Sequence, residues 1–131
     1  MKRIALGGFV LLAGLAVACS DSNGPEDNRC EEAVSIQAGS GTTPSIGWTP
    51  VCTVAQLRVV EAATDGDEMW AIIASTNTIL PGLTYGVTPS GATATRLPVP
   101  LSIGTEYRIV VSILDPASGQ FLVTGTGSFT P

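Results

Sequence analysis

AQLRVVEA and EMWAIIAS, residues Ala55–Ala62 and Glu68–Ser75, flank Thr64-Asp65-Gly66-Asp67. Both runs are rich in side chains that favour extended backbone. Asp-Gly between such runs is a strong short-range hairpin signal, because both central residues of the tight turn take positive φ. That turn sets Leu57 opposite Ala74 and Val59 opposite Ile72 on the inward side, and Glu61 opposite Trp70. Upstream, Val34-Ser35-Ile36 and Ser45-Ile46-Gly47-Trp48 read as two strands joined through Gly39-Ser40-Gly41-Thr42. Centred on Gly41, they place Val34 against Trp48 and Ile36 against Ile46, apolar on apolar. Downstream, Glu106–Leu114 (EYRIVVSIL) alternates with Tyr107, Ile109, Val111 and Ile113 on one face, and Gly119–Thr130 supplies the last strand after a turn at Asp115–Gly119. Ile79–Val87 is broken by Pro81-Gly82 and is short or irregular. Pro98 and Pro100 make the stretch after Arg96 an edge strand, since proline cannot donate to a ladder. With turn signals at roughly eight- to twelve-residue spacing and no helical periodicity, the fold is all-β, a sandwich or barrel.

Two stretches carry a family resemblance. Ile46-Gly47-Trp48-Thr49-Pro50 looks like the second strand of the fibronectin type III fold, where a tryptophan is followed shortly by proline. Leu101-Ser102-Ile103-Gly104-Thr105-Glu106-Tyr107-Arg108-Ile109-Val110-Val111 resembles the entry to its sixth strand. The resemblance covers residues 33–131 and implies a seven-stranded, immunoglobulin-like antiparallel β-sandwich with Tyr107 as the tyrosine-corner residue. Ile103 replaces the usual turn proline. Such sandwiches host many unrelated roles, so the resemblance implies a fold and leaves function open.

Lys2 and Arg3 precede an almost unbroken apolar run, Ile4–Val17, which leads through Ala16-Val17-Ala18 to Cys19. A charged start, an apolar stretch and a small-residue exit are the parts of a secretory signal. The run is shorter than the roughly 20 residues of a membrane span. Cysteine at the first mature position resembles the lipobox of bacterial lipoproteins, whose thiol receives a diacylglycerol. Ordinary secretion would cut at the same bond, and Cys19 itself is what separates the two readings. The resemblance implies a signal peptide over 1–18, lipidation at Cys19 and residence in the cell envelope, periplasmic or surface-exposed. Ser20 in place of an aspartate favours the outer membrane if the source is Gram-negative. Residues 19–32 are polar and acidic around Gly24-Pro25 and read as a tether.

The full chain carries 6 Lys+Arg against 11 Asp+Glu. Cleavage would remove Lys2 and Arg3 and leave Arg29, Arg58, Arg96 and Arg108 as the only cations. An acidic chain of this kind lacks the cationic patch that nucleic acid requires. Three cysteines are odd for an exported protein. If the lipid takes Cys19, then Cys30 and Cys52, which the hairpin about Gly41 sets opposite one another, can pair as a disulfide. The alternative is two free thiols or a metal pair, although zinc wants four ligands.

The chain has no histidine, which excludes histidine-based triads and histidine zinc sites. Asp65, Asp67 and Glu68 gather at the hairpin tip as half a calcium site; the bland reading is a solvated turn guarding an edge. Glu61 has no partner carboxylate across a groove of the kind a glycosidase needs. Arg58 and Arg108 point outward and pair across strands with Glu61 and Glu106. Trp48 and Trp70 belong to the core. Tyr85 is the best candidate for an exposed aromatic, against an equal reading as a packed strand residue, and Pro81 with Pro89-Ser90-Gly91 marks loops where a partner would bind. No catalytic residue, metal ligand set or cofactor is expected. The sequence therefore points to a lipid-anchored envelope protein that is a non-enzymatic interaction or structural module, meeting the membrane through its lipid and an envelope protein or glycan through its loops. The alternative is a small glycan-binding or calcium-dependent binding protein using Asp65 and Asp67, or a carboxylate-based hydrolase.

Overall fold

A computed structural model describes residues 28–131. Cys19, the signal segment and most of the expected tether lie outside them. The described residues form eight strands: β1 (Ser35–Ala38), β2 (Ser45–Thr49), β3 (Gln56–Glu61), β4 (Glu68–Ile73), β5 (Leu83–Thr84), β6 (Thr93–Arg96), β7 (Tyr107–Leu114) and β8 (Phe121–Phe129). They make two antiparallel sheets, a three-stranded one in the order β1-β2-β5 and a five-stranded one in the order β6-β4-β3-β7-β8. The described residues are all-β and sandwich-like. The strand expected after Arg96 is displaced: the edge strand is β6, which ends at Arg96. Pro98 and Pro100 have no N–H to offer, and between them only Val99 donates, to Met69 O at 2.9 Å.

Both sequence-derived hairpin registers are shifted by two residues. In β3–β4, Leu57 pairs with Ile72 and Val59 with Trp70, with a register shift between Val59 and Val60. The cause is a turn longer than the tight primed form. Gly66 N donates to Ala63 O and Glu61 N to Asp67 O, and only Asp65 has positive φ, at 59°. Gly66 is needed for close approach instead: a Cβ there would lie 2.1 Å from Glu61 O. In β1–β2, Ile36 faces Trp48 and Ala38 faces Ile46, because the loop closes through Gly39 N donating to Ser45 O at 2.8 Å. A two-residue slip leaves each side chain on its original face, so the expected core survives both errors.

That core joins Ile46 and Trp48 of one sheet to Leu57, Val59, Trp70, Ile72, Tyr107, Ile109 and Val111 of the other. Trp70 is fully buried, and its Nε1 has no hydrogen-bond partner among the described residues. Burying an indole removes about 150–250 Å² from water, worth roughly 4–6 kcal/mol at 25 cal/mol per Å². An unmet N–H costs about 1–3 kcal/mol, so burial wins. The two sheets also meet where β1 runs beside β8. Val34 N donates to Thr124 O at 2.9 Å, and Gly125 and Gly127 leave room for Val34 and Ile36. A Cβ at Gly127 would sit 2.7 Å from Ile36 Cβ.

Cys30 and Cys52 form a disulfide with Cα atoms 4.9 Å apart. Residues 28–32, assigned to the tether on composition, are tied to the sandwich. Thr53 N donates to Asn28 O, Cys30 N to Thr53 O, and Thr124 Oγ1 to Glu32 O. Composition missed this because each of those bonds uses backbone atoms, which the polar side chains do not report.

Strand directions define two poles. The entry pole collects residues 28–34, the 50–55 connection and the β7–β8 turn. The far pole collects the β1–β2 loop, the β3–β4 turn, residues 85–87 and the 97–106 connection.

Candidate functional site

Tyr85 follows β5 and reaches the far pole, but it is not the exposed aromatic the sequence offered. It is 5% exposed. Its ring meets Trp70 edge-on at 5.4 Å, and its hydroxyl lies 2.5 Å from Val99 O and 3.2 Å from Met69 O. A tyrosine that can hydrogen-bond inside carries its ring into the core with little penalty, and the carbonyls of Met69 and Val99 supply that partner. Burial raises the phenol's pKa above its ordinary value of 10.0.

Above this tyrosine lies a cleft of about 360 Å³, lined by Thr42, Thr43, Gly86, Val87, Pro98 and Leu101 together with Tyr85, Val99 and Pro100. Its walls are mostly apolar. Val87 is 59% exposed on the rim, with Leu97 and Ile103 standing open on the same pole. The fixed φ of Pro98 and Pro100 and the Val99 N–H bond to Met69 hold one wall in place. Pro98 and Pro100 were legible in the sequence as residues that cannot donate to a ladder. Their role as a cleft wall was not, because it depends on where residues 42–43 and 85–87 fall.

A second cleft, of about 420 Å³, opens on the outer face of the five-stranded sheet. It is lined by Arg58, Val60, Glu61, Asp65, Arg108 and Val110, with the backbone of the β3–β4 turn. Arg58 faces Val110 and Val60 faces Arg108, so the two guanidinium groups lie on a diagonal of the sheet. The pairing expected of Arg58 is corrected: it binds neither Glu61 nor Glu106 but Glu68, at 2.8 Å. Arg108 makes no ion pair among the described residues. The two arginines share the cleft with Glu61 and Asp65, so its charges offset one another and it offers no anion site.

The four loop candidates are therefore dispersed. Asp65 lines the charged cleft and Tyr85 the apolar one. Asp67 contributes its backbone carbonyl to the hairpin. Pro81 lies beside Gly47 on β2: a Cβ built on Gly47 would be 4.0 Å from Pro81 Cβ. Among the described residues no three His, Cys, Asp or Glu side chains gather as metal ligands. Glu61 stands opposite Tyr107 on the neighbouring strand, where the sequence had set Trp70 across from it.

One residue that sequence reasoning passed over is Asn77, 4% exposed. Its amide donates to Leu114 O at 2.9 Å and accepts from Leu114 N at 2.8 Å. It thereby acts as a one-residue strand that holds the end of β7. A lone asparagine in a Ser/Thr-rich connection gave no signal of this. No protein-family model matches the chain, and comparisons with curated proteins and with solved structures found no match.

Proposed function

We propose that this chain is a lipid-anchored protein of the bacterial cell envelope. Its fibronectin type III-like sandwich serves as a non-enzymatic interaction module, turning the apolar cleft at Tyr85, Val87 and Pro98 toward an envelope protein or glycan. The observation that carries the reading is the Cys30–Cys52 disulfide. It uses two of the three cysteines, so Cys19 has no cysteine in the chain to pair with, and it stands directly behind Ala16-Val17-Ala18. A disulfide in a small domain also belongs with export to an oxidising compartment.

Strand order supports the finer fold assignment. The fibronectin-like arrangement has a three-stranded sheet facing a four-stranded one, and β1-β2-β5 facing β4-β3-β7-β8 corresponds to it once β6 is taken as an addition at the edge. Trp48 on β2 is buried. The Tyr107 hydroxyl accepts from Ser102 N at 2.8 Å, five residues upstream, which is the bond of a tyrosine corner. The apolar cleft has the character of a recognition surface, with hydrophobic walls and few polar groups.

Photo-crosslinking in native cells tests the interaction role. A crosslinking amino acid at Val87 or Leu97 is expected to give one recurrent adduct that is absent when it is placed at Thr126, on the outer face of β8. The same adduct spectrum at all three positions would contradict the assignment.

A further inference from the structure

We infer that the entry end of the β7–β8 hairpin, Phe121-Leu122-Val123, is a lipid-docking surface that rests on the bilayer beside the anchor. The inference depends on the lipid-anchored reading for its geometry. Three consecutive apolar side chains stand open there, 38%, 47% and 64% exposed. Neighbours in a strand point to opposite faces, so this run is open on both faces of the sheet's edge strand, where Leu122 and Val123 border residues 30–33 without being covered by them. The ladder agrees: β3 pairs with β7 only as far as Gln56 and Ser112, while β8 continues to Phe121 against Leu114. Three successive exposed apolar residues are a solubility liability unless something covers them.

The projecting end is rigid. Asn77 clamps Leu114 on both its N–H and its carbonyl. Asp115 N donates to Gln120 O at 2.8 Å and Gly119 N to Asp115 O at 2.7 Å, while the Asp115 carboxylate accepts from Ser118 Oγ at 2.8 Å. The surface is thus formed before it meets a partner, and little ordering entropy remains to be lost on contact.

Chain length selects the occupant. Residue 28 enters at this pole, where Cys30, Glu32 and Ala33 share a small cleft with Leu122 and Val123. Asn28 is the ninth residue after Cys19, a reach of at most about 30 Å. Strand β8 is nine residues long and spans about 30 Å. A lipid on Cys19 therefore lets the entry pole touch the bilayer with slack, whereas the far pole would reach it only with the connection fully extended along the domain. Glu31 and Glu32 line the same cleft as Leu122 and Val123, and Asp115 closes the turn before them. Arg29 offsets one of these charges through its ion pair with Glu31 at 3.8 Å, which leaves the surroundings net acidic, so apolar burial drives the contact, and zwitterionic lipid is preferred to anionic.

The test separates docking from anchoring. The unlipidated chain from Cys19 to Pro131 is sedimented with phosphatidylcholine vesicles and with phosphatidylglycerol vesicles. The wild type is expected to partition onto phosphatidylcholine. Serine at Phe121, Leu122 and Val123 together should lower the partition coefficient on the order of 100-fold, while Leu97→Ser with Ile103→Ser at the far pole should leave it unchanged. Equal partitioning of all three proteins overturns the inference, as does stronger binding to phosphatidylglycerol. Concentration-dependent self-association that the triple variant abolishes, without vesicle binding, also overturns it and names a second copy as the occupant. Thermal melts of each variant confirm the fold. Palmitate-analogue labelling of Cys19 in cells reports the anchor separately, so a lost anchor with retained vesicle binding refutes only the earlier reading.

Discussion

Reducing the Cys30–Cys52 bond perturbs the fold without changing the sequence, and its magnitude follows from the chain. The bridge closes a segment of 22 residues. Loop-closure entropy for a ring of that size gives about 3.4 kcal/mol at 25 °C, a large share of the roughly 5–15 kcal/mol that holds a domain of this size. Urea unfolding of the oxidised protein and of the same protein in a phosphine reductant is the assay. The oxidised form is expected to be about 3 kcal/mol more stable, which corresponds to about 15–25 °C in Tm. Cys30 is 1% exposed, so the reductant must be added to unfolded protein before refolding. A difference below about 1 kcal/mol would refute the account, since it would mean that the hydrogen bonds of Asn28, Cys30 and Thr53 alone hold the entry pole.

Other residues give further tests. Asn77→Ala strips both partners from the half-buried backbone of Leu114 and should cost about 1–3 kcal/mol, with faster amide exchange in the β7–β8 turn. Gly127→Ala, pressed against Ile36, should cost about 1–3 kcal/mol, whereas Gly47→Ala, whose nearest neighbour would lie at 3.9 Å, should fall within about 0.5 kcal/mol. Tyr85→Phe should cost about 1–2 kcal/mol at neutral pH by leaving the Val99 carbonyl without the hydroxyl. Burial raises the Tyr85 pKa above 10.0. Its neutral form therefore stabilises the fold fully below that value and progressively less as pH rises toward the folded pKa. Stability of the wild type should fall more steeply above pH 10 than that of Tyr85→Phe, and parallel curves would contradict the assignment.

Much of the sandwich was legible because face alternation is robust. Leu57, Val59, Trp70 and Ile72 reached the core although their register was wrong by two residues, since period-two patterning fixes the face and leaves the offset to the turn. The offset was hidden in the β3–β4 turn, where Asp65 alone takes positive φ and Gly66 is present for its lack of a Cβ. Strand β6 was missed because Thr93–Arg96 is polar and sits on an edge, where burial leaves no pattern. Tyr85 shows the limit for the site. Its flanking Gly and Pro residues read as a loop, but the two carbonyls that draw it inward come from Met69 and Val99, 16 and 14 residues away. The clefts are likewise made by segments that only the fold brings together.

The central claim, that Cys19 carries a lipid, is tested most directly by mass spectrometry of the mature N-terminus from the membrane fraction. The predicted result is a chain beginning at Cys19 whose first residue bears a thioether-linked diacylglycerol, with Cys30 and Cys52 joined. A chain beginning at Cys19 with a free thiol, or one that retains residues 1–18, would contradict it.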